Sequence, residues 1–444
     1  MLRVPTQRAA SGMVLALPVQ HPEKAGYVLL KPGATLDQTS IDRLLELNVR
    51  QVTIEYPPTA FLLRYCSPAL LIAQAQLAEL MSVQLDRLTQ SLHAEFEFLT
   101  FAEGIRSLIQ RLVDEPAAAV FMHDIVDARQ PLTSHSFNVG LLSLLMGLRL
   151  DGYLVANRSR ISPRRAQNIE NLGVGALLHD IGMTRLSPET IKRWEASRDE
   201  SDPAWQKHVP VGYAMVRGRI APTAAAAVLH HHQRLDGSGF PKRTRGYGPP
   251  TALHGSEIHI FSRIIAVADT FDRFRAPPSS HDATPQAPTV RALRRTLELV
   301  RQHRLDPVVF KALLSVVPAF APGSIVTLSD TRTCVVTGWE PSRPCSPTVC
   351  PLSAKAAEAL SGHAKPHRPP EEVPLGEPID LDERRDLWIV SADGLDVRED
   401  LFQPAYPGEF DMRLQYPSPL HDRWEAVDAQ QMAALAADPA VRHW

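Results

Sequence analysis

The feature that most constrains this fold is an ordered series of histidines and aspartates set in helix-forming sequence. Its members, in chain order, are His135, His179, Asp180, His208, the run His230-His231-His232, and Asp269. Neutral imidazoles and carboxylates are ligands for divalent ions of intermediate hardness. Metal-dependent hydrolysis needs several such groups at one point. We therefore expect a mainly helical domain that brings the series together.

The number of candidate ligands indicates two metal ions. Leaving out His230, the metal-ligand set is His135, His179, Asp180, His208, His231, His232 and Asp269. A single ion takes about three to five protein ligands, so seven side chains suggest a pair. The absence of thiolate from the set is consistent with Fe, Mn, Co or Zn. Two ions held about 3.5–4 Å apart can bind phosphoryl oxygens and activate a bridging water.

Composition bounds the class of protein. A chain of 444 residues is expected to form two or three domains. The net charge of -2 argues against a partner that is a nucleic-acid polymer or a membrane surface, because such binders carry a basic excess. No apolar run reaches the roughly 20 residues of a membrane span, and the start does not read as a secretory signal. Four cysteines form no disulfide framework, so we expect reduced thiols and a cytoplasmic location.

Composition shifts divide the chain into five regions, and the fold class they predict is multidomain and mainly α. An all-helical domain is flanked by a small N-terminal α/β segment and a small C-terminal β domain. The predicted regions are an α+β module at 1–60, a helical connector at 61–116, the histidine-rich helical domain at 117–317, a β-rich domain at 318–400, and a partly disordered tail at 401–444. The proline- and serine-rich segment 276–288 is predicted to be a flexible surface loop.

The connector has an apolar stripe at helical spacing, formed by Leu77, Leu80, Met81, Leu85, Leu88 and Leu92. Two interpretations stay open. The stripe either packs into a core within the chain, which we favour, or pairs with a second copy to give a homodimer.

Five segments resemble the HD-GYP family, a branch of the HD superfamily of metal-dependent phosphohydrolases. In order they are His135-Ser-Phe-Asn-Val, Leu178-His179-Asp180-Ile181-Gly182, His208-Val-Pro-Val-Gly212, His231-His232-Gln233-Arg-Leu-Asp236-Gly-Ser-Gly-Phe240-Pro241, and Arg263-Ile-Ile-Ala-Val-Ala-Asp269. Their order and spacing match the family pattern, and the resemblance covers roughly residues 117–317.

The resemblance implies a function and a site. It implies a phosphodiesterase that hydrolyses cyclic di-GMP or a related cyclic dinucleotide in bacterial second-messenger signalling, alongside signalling protein partners. It implies catalytic roles for His179 and Asp180, with Asp180 bridging two divalent ions, Fe or Mn favoured and Zn, Co or Ni open. Three-metal members carry a Glu where this chain has Pro131, so two ions are predicted. The arginines proposed to bind substrate are Arg185, Arg234 and Arg263.

Several positions depart from the family pattern. Met183 replaces a lysine, Gln233 a glutamate and Phe240 a tyrosine, and an Arg-Pro-Tyr-Arg-like segment is replaced by Arg275-Ala-Pro-Pro-Ser-Ser. The lost cations would have been suited to substrate phosphates. The alternative hypothesis is therefore a catalytically degenerate protein that acts as a nucleotide-binding or protein-interaction module. A hydrolase acting on another phosphorylated nucleotide also stays open.

Overall fold

The computed structural model describes residues 1–21, 27–47, 49, 51–90, 97–115, 131–243, 249–275, 287–361 and 374–403. Most of the predicted surface loop at 276–288 and nearly all of the predicted tail at 401–444 lie outside these residues. In the described part of the chain, no single helix is both long and apolar enough to cross a membrane. One bent pair, Leu132–Arg149 with Asp151–Asn157 at 85°, meets that test by length and composition.

The N-terminal module contains short strands and one helix. Its elements are β1 (Leu2–Pro5), β2 (Val19–Gln20), β3 (Val28–Leu30), α1 (Gln38–Glu46) and β4 (Gln51–Ile54). Strands β1 and β4 pair antiparallel, with Leu2 opposite Ile54. Asp37 caps α1 by accepting a 2.7 Å hydrogen bond from the backbone N–H of Ser40, which is the usual way to satisfy a donor at a helix start.

Helices fill the middle of the chain. They are α2 (Pro68–Gln90), α3 (Phe98–Asp114), α4 (Pro131–Arg149), α5 (Asp151–Asn157), α6 (Pro163–Ala166), α7 (Glu170–Leu177), α8 (Pro188–Ser197), α9 (Pro203–Gln206), α10 (His208–Val216), α11 (Pro222–His230), α12 (Ile260–Arg275), α13 (Thr289–Arg301) and α14 (Pro307–Leu314). A 3₁₀ turn at Ile181–Arg185 follows α7. The mainly helical fold predicted from the sequence is confirmed.

The apolar stripe of the connector is used within the chain. Leu77, Met81, Leu85 and Leu88 on α2 are all buried in the main core, which also contains residues of α3 and α4. This is the core-packing interpretation that the sequence favoured. A homodimer stays a prediction.

Close helix packing brings the histidine-bearing elements together. In α12 every position from Ile260 to Asp272 is buried except Arg263, so this helix lies at the centre of the domain. Gly140 of α4 meets Leu177 of α7 so closely that an added Cβ would lie 2.4 Å from the leucine side chain. The missing side chain lets these two helices approach, and they carry His135 and lead into His179.

A six-stranded antiparallel sheet follows, in the order β10-β9-β5-β6-β7-β8. Its elements are β5 (Ile325–Leu328), β6 (Thr333–Gly338), β7 (Thr348–Pro351), α15 (Ala354–Ser361), β8 (Ile379–Asp380), β9 (Ile389–Ala392) and β10 (Leu395–Asp396). The β-branched runs Ser324-Ile-Val-Thr-Leu, Thr333-Cys-Val-Val-Thr and Leu387-Trp-Ile-Val predict β5, β6 and the start of β9 from the sequence alone. It does not predict β7, β8, β10 or α15.

The central strands of the sheet, β5, β6 and β7, are buried on both faces. Along β6, Cys334 and Val336 belong to the core of the helical domain, whereas Val335 between them belongs to a second core. Successive strand residues point to opposite faces, so this alternation sends each set to a different neighbour. The second core also contains Leu2 and Leu15, and the N-terminal module and the sheet therefore share one apolar interior. The region boundaries at 60 and 318 stay predictions.

Candidate metal centre

The structure brings the seven predicted ligands together from five places in the fold. His135 lies on α4, His179 and Asp180 follow α7, His208 begins α10, His231 and His232 follow α11, and Asp269 lies on α12. All are buried except His135, which is partly buried. They form two groups whose ligand atoms lie within 4.8 Å of one another and which can each hold a metal ion, Asp180-His208-His231-His232 and His135-His179-Asp269.

Backbone carbonyl groups fix the orientation of three of the imidazoles. Nδ1 of His179, His208 and His231 lies 2.7, 2.7 and 2.8 Å from the carbonyl oxygen three residues earlier. A carbonyl oxygen can only accept, so each Nδ1 carries the proton and donates. Nε2 is then left with a lone pair, as in metal-ligating histidines.

Those lone pairs point at a carboxylate oxygen. Nε2 of His208 lies 3.2 Å from Oδ1 of Asp180, and Nε2 of His231 lies 3.4 Å from the same oxygen. None of these three atoms has a hydrogen-bond partner among the described residues, and all are buried. A buried polar atom without a partner costs about 1–3 kcal/mol. Acceptors that face one another in this way require a cation between them, so the residues present fit a divalent ion.

The second group, His135, His179 and Asp269, is held in place by neighbouring polar side chains. Nε2 of His135 lies 3.0 Å from Oδ1 of Asp269 and 3.3 Å from Nε2 of His179. Its Nδ1 lies 2.7 Å from Asp272, whose other carboxylate oxygen accepts a 3.0 Å hydrogen bond from Asn138. A carboxylate behind a ligating imidazole fixes its tautomer and raises its basicity. The position of Asp272 in the sequence is consistent with either a ligand-positioning or a helix-capping role, and these contacts favour positioning.

Charge and burial set the protonation states in the metal-free protein. Burial lowers the pKa of His179 to about 3 and also lowers the pKa values of His231 and His232, so these rings are neutral ligands near pH 7. Burial also opposes protonation of His135, but hydrogen bonds to Asp269 and Asp272 outweigh it and raise its pKa to about 9.

Sequence reasoning missed Arg273, which lies inside the centre. Its Nε is 2.7 Å from Oδ1 of Asp269. Its guanidinium also lies 5.1 Å from the ring centroid of Trp194 and 5.2 Å from that of Trp205, within the range of cation–π contacts. The signal was available, because a basic residue four positions after an aspartate on a helix is placed to pair with it.

The three arginines proposed for substrate have other contacts in the structure. Arg263 pairs with Asp306 at 2.9 Å. Arg234 is buried and reaches Glu200 at 3.3 Å. Arg185 ends the 3₁₀ turn after the His-Asp pair and is partly exposed. Substrate contact by any of the three stays a prediction.

The residues that depart from the family pattern, Met183, Gln233 and Phe240, make specific contacts in the structure. Met183 packs in a small apolar cluster with Trp194 and Trp205, against which Phe240 also packs. Gln233 donates a 2.8 Å hydrogen bond to the carbonyl of Pro241 and accepts one of 2.9 Å from the backbone N–H of Leu253. Met183 and Gln233 therefore support the walls of the centre.

Glycines allow the close backbone approaches near the ligands. A Cβ at Gly182 would lie 2.0 Å from the carbonyl oxygen of His208, and one at Gly239 would lie 2.4 Å from that of His232. Gly237 has a φ of +79°, a conformation that glycine adopts without strain. Gly237 and Gly239 therefore form a tight loop after Asp236.

Comparisons with known proteins agree with this geometry. A family model described as "HD domain" matches residues 153–309. The chain is 30% identical over 193 residues to the 3'3'-cGAMP-specific phosphodiesterase 3 of Vibrio cholerae, which covers 43% of this chain and 36% of that protein. It is 27% identical over 170 residues to the cyclic di-GMP phosphodiesterase PA4108 of Pseudomonas aeruginosa, covering 38% of each chain.

The matched regions cover only part of each protein. This chain spans little more than a third of the length of these two curated relatives. A solved structure, the HDG"Y"P protein Bd1817 of Bdellovibrio bacteriovorus, has a TM-score of 0.40 and 15% identity over 70% of this chain and 97% of that one. So weak a likeness adds nothing to the assignment. The motif order, the family match and the curated relatives together show that this chain contains an HD domain of the HD-GYP family.

Proposed function

We propose that this chain is a metal-dependent phosphodiesterase that hydrolyses a cyclic dinucleotide, either cyclic di-GMP or a related molecule such as 3'3'-cGAMP, in bacterial second-messenger signalling. The observation that supports it most is the pair of unpartnered imidazole nitrogens of His208 and His231 facing Oδ1 of Asp180. Relatives of about 30% identity are named as phosphodiesterases for these two substrates.

The two groups of side chains define the proposed roles. Asp180, His208, His231 and His232 would hold one divalent ion, and His135, His179 and Asp269 a second, with Fe or Mn favoured. Bound ions of this kind supply Lewis-acid stabilisation of phosphoryl oxygens and a water of lowered pKa. Asp180 lies between the groups, since its Oδ2 is 3.5 Å from Nε2 of His179 and 3.7 Å from Nε2 of His135. This position supports the bridging role proposed for it.

The protein groups around the ligands orient them. Backbone carbonyl oxygens hold His179, His208 and His231, and Asp272 holds His135. Orientation of this kind reduces the reorganisation needed when substrate binds.

Turnover of a panel of nucleotides tests the proposal. Protein loaded with Mn(II) or Fe(II) is incubated with cyclic di-GMP, 3'3'-cGAMP and the corresponding linear dinucleotides, and products are separated by liquid chromatography. We expect hydrolysis of at least one cyclic dinucleotide, and a loss of at least about 100-fold in Asp180→Asn, because that change removes the carboxylate shared by the two groups.

His254→Ala is the matched control for a histidine substitution. His254 is 67% exposed and pairs with Glu257 outside the centre, so its loss should leave the rate unchanged. Metal-loaded protein that turns over none of the cyclic dinucleotides would overturn the proposal.

The degenerate binding module is the second candidate, and Arg273 favours it. A guanidinium already in contact with Asp269 occupies ligand atoms that a metal-dependent enzyme needs. Cyclic dinucleotide affinity without hydrolysis, measured on metal-loaded protein, would select this candidate. A cytoplasmic location, signalling protein partners and a homodimer stay predictions.

A further inference from the structure

Arg273 contacts three of the seven proposed ligands. Its Nε lies 2.7 Å from Oδ1 of Asp269, and its Nη2 lies 3.7 Å from Oδ2 of Asp180. The same Nη2 lies 3.4 Å from Nε2 of His232. One side chain therefore reaches both groups of the centre.

Charge explains why a cation is needed there. Asp180 and Asp269 are both buried, and an uncompensated buried carboxylate is costly. Arginine stays protonated in proteins, and its planar fork can contact several acceptors at once. In the metal-free protein, Arg273 supplies positive charge to both carboxylates.

The contact with His232 has a second consequence. A neutral imidazole that accepts a hydrogen bond at Nε2 carries its proton on Nδ1. Nδ1 of His232 has no hydrogen-bond partner among the described residues. While Arg273 stays in place, neither nitrogen of His232 offers a free lone pair to a metal ion.

The guanidinium is held by its surroundings. Glu200 contacts its Nη1 at 3.4 Å. The rings of Trp194 and Trp205 stack on each other with centroids 3.8 Å apart, and both lie within cation–π range of Arg273. The side chain is only 11% exposed. This position is specified by packing on several sides.

One part of the centre is left open by Arg273. Oδ1 of Asp180 and Nε2 of His208 and His231 are unpartnered and make none of its contacts. A divalent ion at these three atoms shares Asp180 with the arginine, whereas an ion at the second group, His135, His179 and Asp269, must displace the arginine from Asp269. Two cations at the same ligand atoms repel each other strongly in a buried site.

We propose that Arg273 is a resident cation of the metal centre, which competes with divalent ions for Asp269 in the second group and for His232 in the first. The wild-type chain then holds one ion tightly, at Asp180, His208 and His231, and binds a second ion only weakly. The proposal rests on the proposed metal-dependent function, and it revises the expectation of two equally held ions.

Metal stoichiometry tests the proposal without any activity measurement. Wild type, Arg273→Met, Arg273→Lys and Arg193→Met are stripped with a chelator, loaded with Mn(II), desalted, and analysed for Mn per chain by mass spectrometry. Arg193→Met is the matched control, because Arg193 pairs with Asp202 at 3.2 Å on an exposed surface. A parallel electron paramagnetic resonance spectrum reports whether two Mn(II) ions are coupled.

We expect about one ion per chain in wild type and in Arg193→Met, and about two coupled ions in Arg273→Met, because the neutral side chain releases Asp269 and His232. Arg273→Lys keeps a charge but loses the fork, so its affinity for the second ion should lie between these two. About two tight ions in wild type, or only one in Arg273→Met, would overturn the proposal.

The outcomes separate this proposal from the proposed function. Two tight ions in wild type would overturn the role of Arg273 and leave the metal-dependent function standing. No Mn in any variant, wild type included, would overturn both. Should Arg273→Met fail to fold, the wild-type stoichiometry and Arg273→Lys still decide the question.

Discussion

The ion pair between Arg263 and Asp306 gives a prediction about stability that is independent of metal. The side chains are 10% and 2% exposed, and Nη1 of Arg263 lies 2.9 Å from Oδ2 of Asp306. The hydroxyl of Tyr153 donates a 2.9 Å hydrogen bond to the same oxygen. Oδ1 of Asp306 accepts from the backbone N–H of Val308 at 2.9 Å, at the start of α14. The pair therefore ties α12 to α5 and α14.

Replacing Arg263 with methionine removes the charge and keeps the length of the side chain. Breaking a buried ion pair from one side costs about 3–5 kcal/mol. Asp306 keeps the Tyr153 hydroxyl and its helix-capping bonds, so we expect a loss near the lower end, about 3 kcal/mol in the free energy of unfolding. Asp306→Asn should cost a similar amount, and the double variant less than the sum of the two, with a coupling of at least about 1 kcal/mol.

Urea denaturation of metal-stripped protein, followed by far-UV circular dichroism, measures these free energies. Arg193→Met is the control, since removing an arginine from the exposed pair with Asp202 should cost no more than about 1 kcal/mol. An Arg263→Met protein within about 0.5 kcal/mol of wild type, or a coupling near zero, would refute the reasoning. Unchanged stability together with weaker substrate binding would instead support the substrate role predicted from the sequence.

Two further predictions concern the centre and the thiols. Asp272→Asn should weaken Mn(II) binding at the second group, His135, His179 and Asp269, about 10- to 100-fold, because the neutral amide no longer raises the basicity of His135. Chelator competition for the ion at this group measures the change, and equal affinity there would contradict the assigned role. Burial raises the pKa values of Cys334 and Cys345 to about 12 each. At pH 9 their thiolate fraction should be about 500-fold below that of an ordinary cysteine, so iodoacetamide should label them only after unfolding. Rapid labelling of the native protein, mapped by mass spectrometry, would show the burial to be wrong.

Much of the candidate centre was predictable because its residues occur in local patterns. Each proposed ligand stands in a short ordered segment, and the helical periodicity around them fixes the class of fold. The helix ends that hold Nδ1 of His179 and His231 also follow from local sequence, since each carbonyl partner lies three residues earlier.

The roles of the arginines depend on contacts that no local pattern specifies. Arg263 lies 43 residues before its partner Asp306, and its motif position alone predicted a substrate contact. Arg273 is four residues after Asp269, but its contacts with Asp180 and Glu200 arise only when α12 packs beside the segments that follow α7 and α8.

The C-terminal sheet was only partly predictable for a different reason. A strand buried on both faces shows no alternation of polar and apolar residues, so β6 reads as a plain apolar run. Strands β8 and β10 have only two residues each, which is too short for any periodicity.

The N-terminal module and the sheet share one apolar interior, which limits the exchange of the module for another domain. Ile325, Val335 and Cys350 are covered by residues such as Leu2 and Leu15, which lie more than three hundred positions earlier in the chain. Exchanging the first sixty residues for another module would leave that face of the sheet in water unless the replacement matched its shape. The N-terminal module and the C-terminal sheet must therefore be inherited together, and changes to the module that preserve this interior are confined to its outer surface.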